Sequence, residues 1–263
     1  WDTDFSFTVP KNFRSGIYAA KLIDEQGNEE MIPFFVTAKH GKPQSRICIL
    51  IPSFTYTVYA NIARGNTNKK MLERIKDWSA SPWTTDNFPQ FGLSTYNYHS
   101  DGSGISSSSR RRPILTMRSN VISYPGVPGS GCRHFPADSH LWYWLTTKGY
   151  EFDVITDDEL DKYGLAAIDK YTVVVTCSHP EYHTPKSLNA LQEYTNTGGH
   201  LMYLGGNGFY WKVAIRDAWP DAVEIRRGEG GIRAWASEPG EYYNAFDGEY
   251  GGLWRRNGRA PQV

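Results

Sequence analysis

Apolar residues gather in short runs separated by polar and glycine-rich segments. Such runs occupy residues 46–52, 150–155, 171–176 and 200–204, and β-branched side chains occur in the first three. Continuous apolar runs of this length are typical of strands that are buried on both faces of a parallel sheet. Residues 185–194 have the period of an amphipathic helix and begin with a proline. The alternation of strands and helices predicts an α/β domain with a doubly wound, mostly parallel sheet.

The first forty residues have a different pattern. Residues 5–9, 16–23 and 31–36 are predicted strands, with a turn at 24–28. Because so few strands cannot form a stable sheet alone, we expect residues 1–40 to be the end of an upstream β-rich domain. Residues 41–263 would then form the α/β domain. The sequence ends at residue 263 without an element that would cap the domain. We therefore interpret the chain as a segment of a longer polypeptide, truncated at its carboxyl terminus.

Between the first and second of these apolar runs lies a long irregular stretch, followed by a helix. Residues 79–135 are dense in Ser, Gly, Pro, Asn and Trp. A loop this long is normally either functional or disordered, and its aromatic residues favour an ordered loop. The helix is predicted at 138–149, with Asp138 as its N-cap and Gly149 as its C-cap.

Polar side chains follow two of the predicted strands. His179 and Glu181 come directly after the run at 171–176, and Asn207 follows the run at 200–204. Open α/β sheets bind ligands beyond the carboxyl ends of their strands. We therefore expect these side chains to converge on one site.

Charge and cysteine content narrow the possible classes of protein. The chain has 28 basic and 28 acidic residues, so no net electrostatic field favours binding to nucleic acid or to an anionic membrane. The arginine run at 110–112 is best explained as a solvated loop. Cys48, Cys132 and Cys177 are an odd number of widely spaced thiols, which is typical of a reduced, cytoplasmic protein. No apolar stretch is long enough to span a membrane, and no export signal is visible.

Several candidate sites have simpler explanations. His99, Asp101, Asp138 and His140 do not have the spacing of a standard zinc site. Cys177 follows a predicted strand, as a nucleophilic cysteine would, but lacks the Gly-x-Cys-x-Gly elbow, which favours a buried, unreactive thiol.

Five segments, in this order, resemble the carboxyl-terminal region of the large (beta) subunit of N,N-dimethylformamidase. They are PSFTYTVYAN at 52–61, YNYHSDGSG at 96–104, DSHLW at 138–142, SHPEY at 178–182 and GGNGF at 205–209. The resemblance spans most of the chain, and it implies a glutamine-amidotransferase-like α/β core preceded by β-rich domains.

The resemblance also implies a mononuclear ferric iron, Fe(III), held by two tyrosines and one glutamate. The matching residues are Tyr59, Glu181 and a tyrosine of the 94–104 loop, where Tyr98 is favoured slightly over Tyr96. The three anionic oxygens would balance a trivalent ion, and only a strongly Lewis-acidic ion binds phenols as phenolates at neutral pH. On residue type alone, Tyr59 is more typical of a packing residue than of a metal ligand, and Glu181 is also suited to capping the helix that begins near Pro185.

The resemblance implies an iron-dependent amidohydrolase that cleaves a small N-substituted formamide or similar amide to acid and amine. The ferric centre would polarise the carbonyl and activate water. His179 would move the proton, and Asn207 would orient the amide or stabilise the oxyanion.

Two other functions stay open, together with the assembly of the protein. A cysteine-dependent, amidotransferase-like hydrolase would use Cys177, and a non-catalytic module would bind a carbohydrate or a protein through the aromatic residues of the long loop. We expect a small amide substrate and a homo-oligomer, with the need for a small accessory subunit left open.

Overall fold

The computed structural model describes residues 2–63, 69–122, 131–228 and 241–259. The strands are β1 (Gly16–Ile23), β2 (Glu29–Val36), β3 (Ile47–Ile51), β4 (Ser107–Ser109), β5 (Asp153–Thr156), β6 (Val173–Thr176), β7 (Tyr182–His183), β8 (His200–Met202), β9 (Trp211–Arg216) and β10 (Trp219–Ile225). The α-helices are α1 (Ser53–Val58), α2 (Lys69–Asp77), α3 (Phe135–Thr147), α4 (Asp157–Tyr163) and α5 (Pro185–Asn196).

The predicted parallel sheet is confirmed. Its strand order is β5-β3-β6-β8, and every neighbouring pair is parallel. Successive side chains of β3 point to opposite faces, so Leu50 packs in one core cluster with Leu191 of α5 and Ile51 packs in another with Leu145 of α3. Helices therefore cover both faces of this sheet. The carboxyl ends of β3 and β6 lie side by side.

A second sheet accompanies the parallel one and was not predicted from the sequence. Its order is β4-β10-β9-β7, with antiparallel pairs except for β7 and β9. Its core side chains, including Trp211 and Ile225, pack against Phe54 and Tyr59 from the α1 region. The molecule is therefore a mixed α/β structure, in which the second sheet backs the segment that follows β3.

The amino-terminal region forms a hairpin of two strands. β1 and β2 pair antiparallel from Gly16 opposite Val36 to Ile23 opposite Glu29, as the sequence indicates. The strand predicted at 5–9 is wrong, because this segment is exposed and pairs with no strand among the residues that the structure describes. The ring of Phe7 packs against the rings of Phe13 and Phe34 instead. The assignment of 1–40 and 41–263 to separate domains stays a prediction.

The start of helix α3 differs from the prediction. The helix begins at Phe135, with His134 at the N-cap position and a proline in its first turn. Asp138 is therefore not a cap but a buried residue within the helix, 1% exposed. Its carboxylate accepts hydrogen bonds from the Tyr56 hydroxyl at 2.5 Å and from the backbone N–H of Ser178 at 2.7 Å. It thus ties α3 to the segments that follow β3 and β6.

Candidate active site at the strand ends

Tyr59 is positioned by the short helix that follows β3. All six residues of α1 are buried, and Tyr59 lies directly after the helix with its side chain 3% exposed. The hydroxyl of Thr55 donates to the carbonyl of His179 at 3.0 Å and accepts from the backbone N–H of Glu181 at 3.3 Å. These bonds hold α1 against the turn that follows β6.

The turn after β6 places two functional side chains next to each other. The backbone N–H of Glu181 donates to the carbonyl of His179 at 2.9 Å, which closes a tight turn. Glu181 is 2% exposed. It is not the cap of α5, because Thr184 fills that position in a capping box with Ser187.

One carboxylate oxygen joins the two strand ends. Oε2 of Glu181 accepts a 2.9 Å hydrogen bond from the hydroxyl of Tyr59 and lies 3.0 Å from Nε2 of His179. The structure therefore brings three of the predicted site residues into one cluster.

Tyr96 completes this cluster from the long loop. Its ring stacks on the ring of Tyr59 with 4.2 Å between centroids, and its hydroxyl is hydrogen-bonded to the hydroxyl of Tyr182. The loop is anchored by Ser94, whose hydroxyl donates to the carbonyl of Val58 at 2.8 Å.

Tyr98 lies outside the cluster. Its side chain is 52% exposed, and its backbone forms a bridge with Gly104. Of the two tyrosines that the sequence left as alternatives, the structure brings Tyr96 against Tyr59, whose hydroxyl donates to Glu181.

The loop that carries Asn207 runs beside the turn after β6. The backbone N–H of Gly206 donates to the carbonyl of Ser178, and that of Phe209 donates to the carbonyl of Pro180. Asn207 is exposed and has a φ of 52°, in the left-handed region that few residues other than glycine adopt. The structure thus places this residue on the surface and not inside the buried cluster.

Arg133 and His134, in the segment before α3, reach this site and were missed by the sequence analysis. Arg133 Nη2 donates to the Tyr59 hydroxyl at 3.4 Å and lies 3.5 Å from Nε2 of His179. His134 is buried, has a φ of 54°, and its ring centroid lies 4.1 Å from that of Tyr59. Neither belongs to a motif, although a strained, buried histidine is typical of functional sites.

The electrostatic environment keeps the phenols protonated unless a cation is present. Burial raises the pKa of Tyr59, and the neighbouring Glu181 carboxylate raises it further. Burial also raises the pKa of Tyr96, although the Arg227 guanidinium opposes this effect. Burial and the charge of Arg133 lower the pKa of His134 well below its usual value.

The chemistry of these donors suits a hard, highly charged ion. Within the described parts of the chain, no group of three His, Cys, Asp or Glu side chains could hold a metal. Tyr59, Tyr96 and Glu181 nevertheless gather three oxygen donors that together could carry three negative charges. Oxygen donors of this kind fit a hard trivalent ion better than a soft or divalent one.

Comparison with known proteins identifies the family. The family model described as "N,N-dimethylformamidase beta subunit-like, C-terminal" matches residues 1–263. The chain belongs to this family. It is 36% identical to the N,N-dimethylformamidase beta subunits of Paracoccus aminophilus, over 273 residues, and of Alcaligenes sp, over 276 residues. Both alignments cover 100% of this chain and 34% of the relative, so the chain spans about a third of the relatives' length.

The expected resemblance is therefore confirmed. The name of the relatives denotes a hydrolase that acts on the C–N bond of an amide. No helix in the described parts of the chain combines the length and apolar character that crossing a membrane requires.

Proposed function

We propose that this chain forms the catalytic part of an amidohydrolase that cleaves a small N-substituted formamide or similar amide to acid and amine. The observation that carries the proposal is the shared Glu181 oxygen, 2.9 Å from the Tyr59 hydroxyl and 3.0 Å from Nε2 of His179. Membership of the N,N-dimethylformamidase family supports the reaction class.

The site would hold one ferric ion through Tyr59, Tyr96 and Glu181. These side chains offer three oxygen donors of the right chemistry, and they are already gathered by stacking and hydrogen bonding. When bound, the ion supplies the Lewis acidity that polarises an amide carbonyl and makes water a better nucleophile. Tyr98 stays the alternative ligand, but its 52% exposure makes it the weaker candidate.

The proton transfers are assigned to His179. Its Nε2 faces the Glu181 carboxylate, and its side chain is 15% exposed, which leaves an edge accessible to water and substrate. An imidazole in this position accepts a proton from the attacking water and returns one to the departing amine. Arg133, 3.5 Å from Nε2 of His179, holds the imidazole in place.

The role proposed for Asn207 is to orient the amide. Its loop is hydrogen-bonded to Ser178 and Pro180, so an amide seated against His179 would lie within reach of this exposed side chain. Its carboxamide can donate a hydrogen bond to the developing oxyanion.

The relatives are named as beta subunits, which supports a multi-subunit assembly. We propose that the chain works in a homo-oligomer, and that a small accessory subunit joins it. A cytoplasmic location stays a prediction from the cysteine content.

The proposal is tested by measuring amine release from N,N-dimethylformamide. The protein should be the full-length polypeptide, loaded with iron, together with any subunit that copurifies with it. We expect Glu181→Gln to lower kcat/KM by about 100-fold or more, because one ligand charge is lost. Glu249→Gln is the matched control, since the Glu249 side chain is 63% exposed and pairs with Lys212 outside the cluster. An inactive iron-loaded wild type, or a fully active Glu181→Gln variant, would contradict the proposal.

A further inference from the structure

Arg227 is a buried cation next to the tyrosine cluster. It lies two residues after β10 and is 1% exposed, although its side chain is among the largest in the core. Burying a guanidinium costs several kcal/mol unless neighbouring groups compensate, so such a residue calls for a reason. Its surroundings point to the candidate active site.

The guanidinium contacts the tyrosine cluster and the loop that carries it. Nη1 donates to the carbonyl of Thr95 at 2.8 Å, and Nη2 donates to the hydroxyl of Tyr182 at 2.7 Å. The guanidinium carbon lies 4.0 Å from the centroid of the Tyr96 ring, within the range of a cation–π interaction. Arg227 thus fixes both the backbone before Tyr96 and the hydroxyl that faces it.

The chemistry of arginine sets the direction of the next hydrogen bond. A guanidinium has donors only, so the Tyr182 oxygen accepts from Arg227. The Tyr182 hydroxyl is also hydrogen-bonded to the hydroxyl of Tyr96. Once Tyr96 is a phenolate, its oxygen can only accept, so Tyr182 must be the donor. Arg227 then donates a hydrogen bond to Tyr182, and Tyr182 donates one to Tyr96.

Resting on the proposed function, we propose that Tyr182 and Arg227 are positioning residues that make Tyr96 a hydrogen-bonded phenolate ligand. A phenolate that accepts a charge-assisted hydrogen bond gives less electron density to a metal. A ferric ion held by Tyr96 would therefore keep more of its Lewis acidity for the substrate carbonyl. Tyr59 packs against the ring of Tyr182, 6.0 Å between centroids, and accepts a longer hydrogen bond, 3.4 Å, from Nη2 of Arg133, so the two tyrosine ligands would differ in strength.

The test is the visible tyrosinate-to-iron absorption band of the iron-loaded, full-length protein with Tyr182→Phe. Removing the hydrogen bond raises the energy of the phenolate electrons, so we expect the band to move to longer wavelength. A phenolate without this hydrogen bond also takes up a proton more readily, so we expect iron to be lost to a chelator about 10-fold faster, the lower end of the effect of changing outer-shell partners.

Tyr194→Phe is the matched control. Tyr194 is 2% exposed, and its hydroxyl donates to the carbonyl of Tyr171, within a different core cluster. The same loss of one buried hydroxyl there should leave the band and the chelation rate as in the wild type, even if both variants unfold at lower temperature.

A second variant separates the effect of the positive charge at position 227 from the effect of the forked hydrogen bonds. Arg227→Lys keeps the positive charge but cannot reproduce the forked contacts with Thr95 and Tyr182. We expect its band to lie between those of the wild type and Tyr182→Phe. Should Tyr182→Phe fold poorly, this variant still reports on the inference.

The outcomes distinguish the inference from the proposed function. A wild type that binds no iron and shows no visible band removes both. An iron-loaded wild type with the band, together with a Tyr182→Phe variant of identical band position and chelation rate, overturns the inference alone. An unchanged band in a folded Arg227→Lys variant also counts against it.

Discussion

The hydroxyl of Tyr59 donates a 2.9 Å hydrogen bond to Oε2 of Glu181, although 122 positions separate the two residues. Both side chains are nearly inaccessible, at 3% and 2% exposure. They meet because β3 and β6 are neighbours in the parallel sheet, and each residue follows the carboxyl end of its strand. A buried carboxylate that shares one oxygen with a phenol and an imidazole is less stabilising than apolar packing, so a functional role explains it better than stability does.

The close approach of the two loops around Glu181 depends on Gly205. A Cβ at this position would lie 2.8 Å from the carbonyl oxygen of Cys177 and 2.9 Å from that of Ser178. Because these are backbone atoms, we expect Gly205→Ala to lower the free energy of unfolding by about 1–3 kcal/mol, measured by urea denaturation. Gly206→Ala is the control, since a Cβ there meets nothing within 4 Å. Equal urea midpoints for the two variants would contradict this account.

The buried carboxyl of Asp157 should give the stability a specific pH dependence. Its Oδ2 accepts from the backbone N–H of Phe54 at 3.0 Å, whereas its Oδ1 has no hydrogen-bond partner in the described parts of the chain. Burial raises the pKa of Asp157 well above its usual value, and nearby Asp158 and Asp161 raise it further.

A raised folded-state pKa means that the folded state binds the proton more tightly than the unfolded state. The contribution of Asp157 to stability is therefore fully present below the pKa of this carboxyl in the unfolded state, about 3.9. It is lost as the pH rises through the raised pKa of the folded state. The largest slope is about 1.4 kcal/mol per pH unit. We expect Asp157→Asn to flatten the dependence of the free energy of unfolding on pH and to stabilise the protein at about pH 8. The control Asp77→Asn, at an exposed position, should parallel the wild type. If the free energy of unfolding of Asp157→Asn depended on pH as steeply as that of the wild type, the assignment of this pH dependence to Asp157 would be contradicted.

The rival thiol mechanism makes the opposite prediction for Cys177. This residue is 0% exposed, and burial raises the pKa of its thiol well above the usual value, with Asp138 adding to the effect. A thiol in this environment is not a nucleophile. We expect Cys177→Ala to retain iron and amide hydrolysis while losing roughly 1 kcal/mol of stability, as Cys48→Ala should also do. Loss of hydrolysis with iron still bound would favour the thiol mechanism instead.

The parallel sheet could be predicted from the sequence because its strands are short, continuous apolar runs. The end of β6 then gave His179 and Glu181 their place, since strand ends in such a sheet face a common edge. Tyr59 came from the resemblance, and the structure brings it to Glu181. Asn207 was expected to converge with them from the end of β8, but it is exposed. For the residues that follow predicted strands, the local sequence pattern was enough to predict the edge of the sheet at which they lie.

The choice between Tyr96 and Tyr98 could not be made from the sequence. Two residues apart in an irregular loop, their side-chain directions are set by tertiary contacts: Tyr96 stacks on Tyr59, while the backbone bridge at Tyr98 turns that residue outward. Arg227 was missed because it follows β10, in a sheet whose strands include Pro220 and Asp221 and show no clean alternation. Asp138 is a residue type that often caps helices, but here its buried carboxylate accepts hydrogen bonds from Tyr56 and Ser178.

The central claim is that Tyr59, Tyr96 and Glu181 together bind one ferric ion. The most direct measurement is iron content with a visible absorption spectrum on the full-length protein, expressed with ample iron, for the wild type, Tyr96→Phe and Tyr98→Phe. We predict about one iron per chain and a tyrosinate-to-iron band in the wild type and in Tyr98→Phe, and loss of iron or a marked weakening of the band in Tyr96→Phe. A colourless, iron-free wild type, or a Tyr96→Phe variant that keeps both the iron and the band, would contradict the claim.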